Sequence, residues 1–274
     1  MSQSLRYRSG SGEPLLLLHG LAMCSDVWHP VLPALVRRHE VFSVTFPGHM
    51  GGVALPEGFR YSVKTAVDYA EAELDAMGFQ QVHIVGNSLG GWFALELARR
   101  GRALSAVAIA PGGGWEPGSA QQRRLMRKFR QMKVGLKVGG PLAPWLVRSR
   151  TFRRFALRDV VARTDRLTQE QATLLIRAPW RCDVFDDIVR AMPAEKAPER
   201  FDPTPCPIRL VWGTDDRLLR IREYSDLWRR ALPGADWVEL EGVGHVPMYD
   251  DPDAVAQAIL DFTAGGQRSK SVAS

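Results

Sequence analysis

Three stretches of this 274-residue chain hold side chains that together could perform nucleophilic chemistry. Gly86-Asn87-Ser88-Leu89-Gly90-Gly91 follows the apolar run Val82–Val85 and opens a helical pattern, the strand–turn–helix setting of a G-x-S-x-G nucleophile elbow. Glycines at 86 and 90 let the chain reverse where a bulkier side chain would clash. The reversal lifts the serine oxygen above the sheet, and the helix N-terminus behind it favours developing negative charge. A glycine-rich turn without catalysis reads the same, so partners decide. A serine hydroxyl is a poor nucleophile at neutral pH and needs a base, itself held by an acid. His245, in Gly-Val-Gly-His-Val-Pro, lies just past the apolar run Trp237–Leu240 and is the candidate base. Its bland alternative is a loop histidine or the cap of the following helix. Asp215 and Asp216 follow Ile208–Trp212 through Gly213-Thr214, and either is a candidate acid or a plain turn residue.

These residues need a scaffold that brings them to one edge. Short, nearly continuous apolar runs at Leu15–Leu18, Val41–Phe46, Val82–Val85 and Leu104–Ile109 alternate with helical patterns, the mark of a parallel sheet covered on both faces. Ser62 caps a helix in which Val63, Val67, Ala70 and Leu74 recur at helical spacing up to about Gly78, and a second helix spans Ser88 to Arg100. Before Leu15 only Leu5–Arg8 has strand character, so a sheet lacking a first strand is the expectation. Beyond the loop Ala110–Gly114 the pattern turns purely helical. Leu125, Phe129, Met132 and Leu136 form one apolar stripe, Thr168 and Gln171 make a capping box, and Asp183–Met192 reads as another helix. After the proline-rich connector 197–207 the alternation resumes with strands Ile208–Trp212 and Trp237–Leu240 and helices near Glu223–Ala231 and Asp253–Phe262. The expected organisation is an α/β catalytic domain from 1–114 and 201–263, a helical cap inserted at 115–200, and a disordered tail at 264–274.

Composition narrows the class. With 45% apolar and 24% charged residues the chain is an ordinary globular one, and no apolar run approaches the roughly 18 residues of a membrane span. The N-terminal residues lack the apolar core of a signal peptide, so cytoplasmic location and no integral membrane association are expected. Cys24, Cys182 and Cys206 are too few and too scattered for a disulfide framework or metal site; no metal and no cofactor are expected. Charge is uneven: 115–200 holds 19 Lys+Arg against 9 Asp+Glu, and 121–158 holds twelve basic residues with no acidic one. No nucleic-acid motif accompanies the run, so a solvated basic face is preferred to nucleic-acid binding.

In five marks the chain resembles the α/β-hydrolase superfamily, in its capped, serine-nucleophile branch. They are His19-Gly20, Pro47-Gly48-His49, the elbow at Ser88, Trp212-Gly213-Thr214-Asp215-Asp216 and Gly244-His245, in order along nearly the whole chain. The resemblance implies an α/β-hydrolase fold with a mostly parallel central sheet. It implies a Ser88–Asp216–His245 triad, because the family's W-G-x-x-D pattern puts the acid on Asp216. It also implies an oxyanion hole from the backbone N–H groups of Leu21 and Leu89. Thr45, Met50 and Arg220 depart from the family pattern, which usually has an acidic residue, a small residue and a proline there. Relatives that dehalogenate or open epoxides carry an aspartate nucleophile, so Ser88 disfavours their chemistry.

The leading expectation is hydrolysis of a small-molecule carboxylic ester or related acyl bond through an acyl-enzyme. The basic insertion would favour anionic substrates. One alternative is a carbon–carbon bond hydrolase of the meta-cleavage-product type, which Gly86-Asn87-Ser88 and Pro111-Gly112-Gly113 resemble; Val246 stands where those enzymes commonly carry tryptophan. Another is a non-catalytic ligand receptor on the same fold. His19, His29, His39, His49 and His83 receive structural or surface readings, and Trp28, Trp92, Trp115 and Trp180 are read as core sooner than as pocket lining.

Overall fold

The computed structural model describes residues 5–201 and 203–270. Seven strands form one sheet: β1 (Leu5–Ser9), β2 (Glu13–Leu18), β3 (His39–Val44), β4 (Val82–Asn87), β5 (Ala103–Ile109), β6 (Ile208–Gly213) and β7 (Asp236–Leu240). Their spatial order is β1-β3-β2-β4-β5-β6-β7, with β1 antiparallel to β3 and every other pairing parallel. The weak N-terminal stretch therefore does make a strand. It can be short and half-polar because it forms the sheet edge, where one neighbour suffices.

Side-chain alternation divides the core in two. Leu16, Leu18, Phe42, Val44, Ile84 and Ala106 face one side; Leu15, Leu17, Val41, Val85, Val107 and Ile109 face the other. Helices α1 (Val63–Ala76) and α2 (Leu89–Arg99) cover the first face with Val67, Leu74 and Phe93. The Ser62 hydroxyl caps α1 by accepting the Thr65 N–H at 3.1 Å.

The segment between β5 and β6 contributes α3 (Ala120–Gly139), α4 (Arg150–Leu157), α5 (Gln169–Trp180) and α6 (Phe185–Ala191). Thr168 and Gln171 make the expected reciprocal cap on α5. The segment adds to both cores: Leu125, Phe129 and Phe185 join the first, Leu157, Leu175 and Ile176 the second. Beyond β6, α7 (Asp226–Ala231) precedes β7, and α8 (Pro252–Lys270) covers the second face with Val255 and Ile259. The last helix thus runs past the expected end near Phe262; residues 271–274 of the expected tail lie outside the described residues. No helix among the described residues is long and apolar enough to cross a membrane.

The chain passes from β2 outward to β3 and then returns to place β4 on the other side of β2. Such a reversal opens a crevice at the carboxyl ends of the two diverging connections, where ligands of open α/β sheets bind. His19-Gly20-Leu21 leaves β2 there and Ser88 leaves β4.

Candidate functional site

Ser88 sits at φ 57°, ψ −118°, a backbone conformation that costs a non-glycine residue about 1–3 kcal/mol. The surroundings hold it there. Its N–H donates to the Ile109 carbonyl at 2.8 Å, and its own carbonyl accepts from Gly112 at 2.8 Å and Trp92 at 3.1 Å. The flanking glycines are required by contact: a Cβ on Gly86 would overlap the Gly90 carbonyl, and one on Gly90 the Leu18 carbonyl. The turn leaves Ser88 half-buried, facing a cavity of about 780 Å³ that His245 also lines.

His245 is buried and donates through Nδ1 to Asp216 Oδ2 at 2.7 Å. The other carboxylate oxygen of Asp216 accepts the N–H groups of Leu218 and Leu219, both at 2.8 Å. Three donors thus satisfy one buried carboxylate, and charge-assisted bonds of this kind are about twice as strong as neutral ones. Asp215 is exposed and faces away, so of the two adjacent aspartates Asp216 alone meets the imidazole. Nε2 of His245 is buried without a hydrogen-bond partner among the described residues.

Two residues to which the sequence reading gave no part in holding this histidine contact its loop. Asn87 donates to the carbonyls of His245 at 3.0 Å and Ile109 at 3.2 Å, tying the elbow to the histidine loop. Asp250 accepts from Gly244 N–H at 2.7 Å, Ala162 N–H at 3.1 Å and Arg163 N–H at 2.6 Å. Burial pushes the Asp250 carboxyl above the usual carboxylate range, and the three N–H groups oppose that shift. Only its position five residues after the histidine, just before the last helix, hinted at Asp250; its partners 87 and 88 residues upstream left no local sign.

The loop after β2 lies against the elbow. Gly20 passes so near the elbow that a Cβ on it would stand 3.1 Å from Ser88 Cβ. The backbone N–H groups of Leu21 and Leu89 have no protein acceptor among the described residues. His19 locks this loop: Nε2 accepts the Phe46 N–H at 3.1 Å, so Nδ1 carries the proton and donates to the Gly20 carbonyl at 2.8 Å. Burial, then the neighbouring His49, hold the His19 pKa down to about 3. Burial likewise lowers His49 to about 4. Both rings are neutral at pH 7. Thr45 replaces an acidic residue with a hydroxyl that accepts the Ser25 N–H at 3.1 Å.

Above the sheet edge the segment between β5 and β6 contributes much of the cavity wall. Phe129, Met132 and Leu136 of α3, Phe152 of α4, and Leu175 and Ile176 of α5 make it largely apolar. One stripe on α3 therefore both packs the segment down and lines the cavity. Trp28, Trp92, Trp115 and Trp180 do not line it; Trp92 packs edge-on against Trp115 and Trp228 in the core. His83 is a satisfied core residue between Ser105 and Glu13, at 2.8 and 3.1 Å. Among the described residues no group of three or more His, Cys, Asp or Glu could hold a metal ion.

The chain is similar to several known proteins. A pimeloyl-[acyl-carrier protein] methyl ester esterase of Aeromonas hydrophila is 36% identical over 267 residues, 93% of this chain and 97% of its own length. An epoxide hydrolase of Mycobacterium tuberculosis is 32% identical over 196 residues, 71% of this chain and 92% of its own. The crystal structure of a bacterial membrane phospholipase A superposes with a TM-score of 0.74 at 24% identity, covering 95% of this chain and 82% of that one. The sequence pattern of the alpha/beta hydrolase family matches residues 15–258, nearly everything from β2 into α8, and the chain belongs to that family.

Proposed function

We propose that the chain hydrolyses a carboxylic ester through an acyl-enzyme formed on Ser88, with 115–200 as a cap over the site and 1–114 and 201–263 as the catalytic domain. The observation that carries this reading is the buried Asp216–His245 pair: His245 lines the same cavity as Ser88, and its Nε2 has no partner among the described residues. His245 Nε2 takes the Ser88 proton as Oγ attacks the ester carbonyl. The N–H groups of Leu21 and Leu89 receive the oxyanion, and loss of one such donor typically costs about 3–4 kcal/mol of barrier stabilisation. Collapse breaks the bond to the alcohol oxygen, which leaves with the proton from Nε2. Water then attacks the acyl group, gives a proton to Nε2, and the acid departs as that proton returns to Ser88. Asp216 holds the imidazole in the required tautomer throughout.

The esterase relative supports this reading. The epoxide-hydrolase relative does not outweigh it: serine attack on an epoxide would leave an alkyl ether, which water does not cleave under these conditions. An aspartate would instead leave a hydrolysable ester.

Labelling with a fluorophosphonate, read by intact mass, tests the mechanism. The expected result is one adduct on the wild type and none on Ser88→Ala. Absence of labelling would favour the receptor reading. Labelling together with turnover of a dienoic meta-cleavage product, but of no ester, would move the reaction to carbon–carbon bond hydrolysis.

A further inference from the structure

The basic side chains that reach the cavity are not equivalent. Arg124, Arg127 and Lys128 of α3 and Arg158 beyond α4 all line it, together with Asp159. Arg124 is engaged by Glu223 at 3.2 Å. Lys128 is engaged by Asp159 at 3.1 Å and by the Arg217 carbonyl at 2.9 Å. Arg127 and Arg158 are exposed and have no carboxylate partner among the described residues. Exposed members of a cavity lining mark its mouth, whereas the deeper wall is apolar.

Arg158 is also held in place. Its guanidinium carbon lies 4.8 Å from the centroid of the Phe155 ring, and Phe155 itself lines the cavity while 67% exposed. Stacking on an aromatic face leaves the in-plane N–H groups of an arginine free to fork onto an anion. Residues 121–158 hold twelve basic side chains and no acidic one, and a local excess of one sign attracts the opposite charge.

From this division we infer that Arg127 and Arg158 form an anion subsite at the mouth, so that the cavity takes an amphiphilic molecule with an apolar body and a terminal carboxylate. In the ester reading, on which the choice of scissile bond rests, the apolar body lies along Phe129, Met132 and Leu136 and the carboxylate stays at the rim. The binding claim itself needs no chemistry.

The test compares monomethyl suberate, which carries a carboxylate, with dimethyl suberate, which does not. Ligand-observed NMR on Ser88→Ala protein measures both affinities in the absence of turnover. The monoester is expected to bind about tenfold tighter, with the gap shrinking as salt is raised. Adding Arg127→Gln and Arg158→Gln should close that gap, whereas Arg130→Gln, on the same helix outside the cavity lining, should leave it. Equal affinity for the two esters, or a gap that survives both substitutions, overturns the subsite. Turnover of either ester by the wild type is scored separately. Binding discrimination without hydrolysis would keep the subsite and remove the ester reading; hydrolysis without discrimination would do the reverse.

Discussion

Asp250 Oδ2 accepts the Gly244 N–H at 2.7 Å, fixing the peptide that leads into His245. The same carboxylate takes the Ala162 and Arg163 N–H groups, and Val246 N–H donates to the Val160 carbonyl at 2.9 Å, so the histidine loop is fastened to the segment between β5 and β6. A Cβ on Gly244 would stand 2.8 Å from Ala162 N, which shows how closely the two backbones approach.

Asp250→Ala leaves three N–H groups without their acceptor, at about 1–3 kcal/mol for each that stays buried and unpaired. The expected outcome is a destabilised enzyme whose kcat falls more than tenfold while KM changes little, because substrate meets the cavity and not Asp250. Steady-state kinetics beside a denaturation curve check both parts. A raised KM with little loss in kcat would assign Asp250 to the cavity instead of to the histidine loop.

Asp216→Asn should reduce kcat/KM by roughly 10³–10⁴-fold, because an amide presents the wrong partner to Nδ1 and favours the wrong tautomer. Asp215→Asn should change little, since that side chain is exposed. Kinetics of the two single variants decide the assignment, and the opposite ranking would move the acid to Asp215.

Acid should destabilise the fold through His19 and His49. Their folded pKa values, about 3 and about 4, lie below the ordinary 6.5, so the unfolded chain binds the extra protons. Stability is full above pH 6.5 and falls as pH drops toward those lower values, by about 1.4 kcal/mol per unit for each histidine. His39, also lowered by burial, acts in the same direction. Melting temperatures taken from pH 7 to pH 4.5 should fall steeply below pH 6; a flat profile would show that these rings protonate without unfolding.

Gly90→Ala should cost about 3 kcal/mol or more, or prevent folding, since the added carbon meets the backbone carbonyls of Leu18 and His19. Gly112→Ala meets nothing nearer than 3.7 Å and serves as the tolerant comparison. Thermal denaturation of the pair checks the steric account of the elbow.

The elements and the elbow were legible from the sequence because they rest on short-range physics. Doubly covered strands announce themselves as apolar runs, and a sharp turn behind a strand demands glycine at 86 and 90 whatever lies elsewhere. His245 was legible for the same reason, as a glycine-flanked loop at the end of a strand. What needed the tertiary structure depends on neighbours far along the chain. Asp215 and Asp216 are alike in type and local setting; the W-G-x-x-D resemblance pointed to Asp216, and the packing of the loops after β6 and β7 is what buries it against His245 and leaves Asp215 in solvent. Asp250 gains its role from Ala162 and Arg163, which no local pattern connects to it. The basic run was countable, yet which of its charges Glu223 and Asp159 engage, and which stay open at the mouth, was decided when α3 was folded down over the sheet. Periodicity and sterics act within a few residues, whereas burial and ion pairing are set only once distant segments share one space.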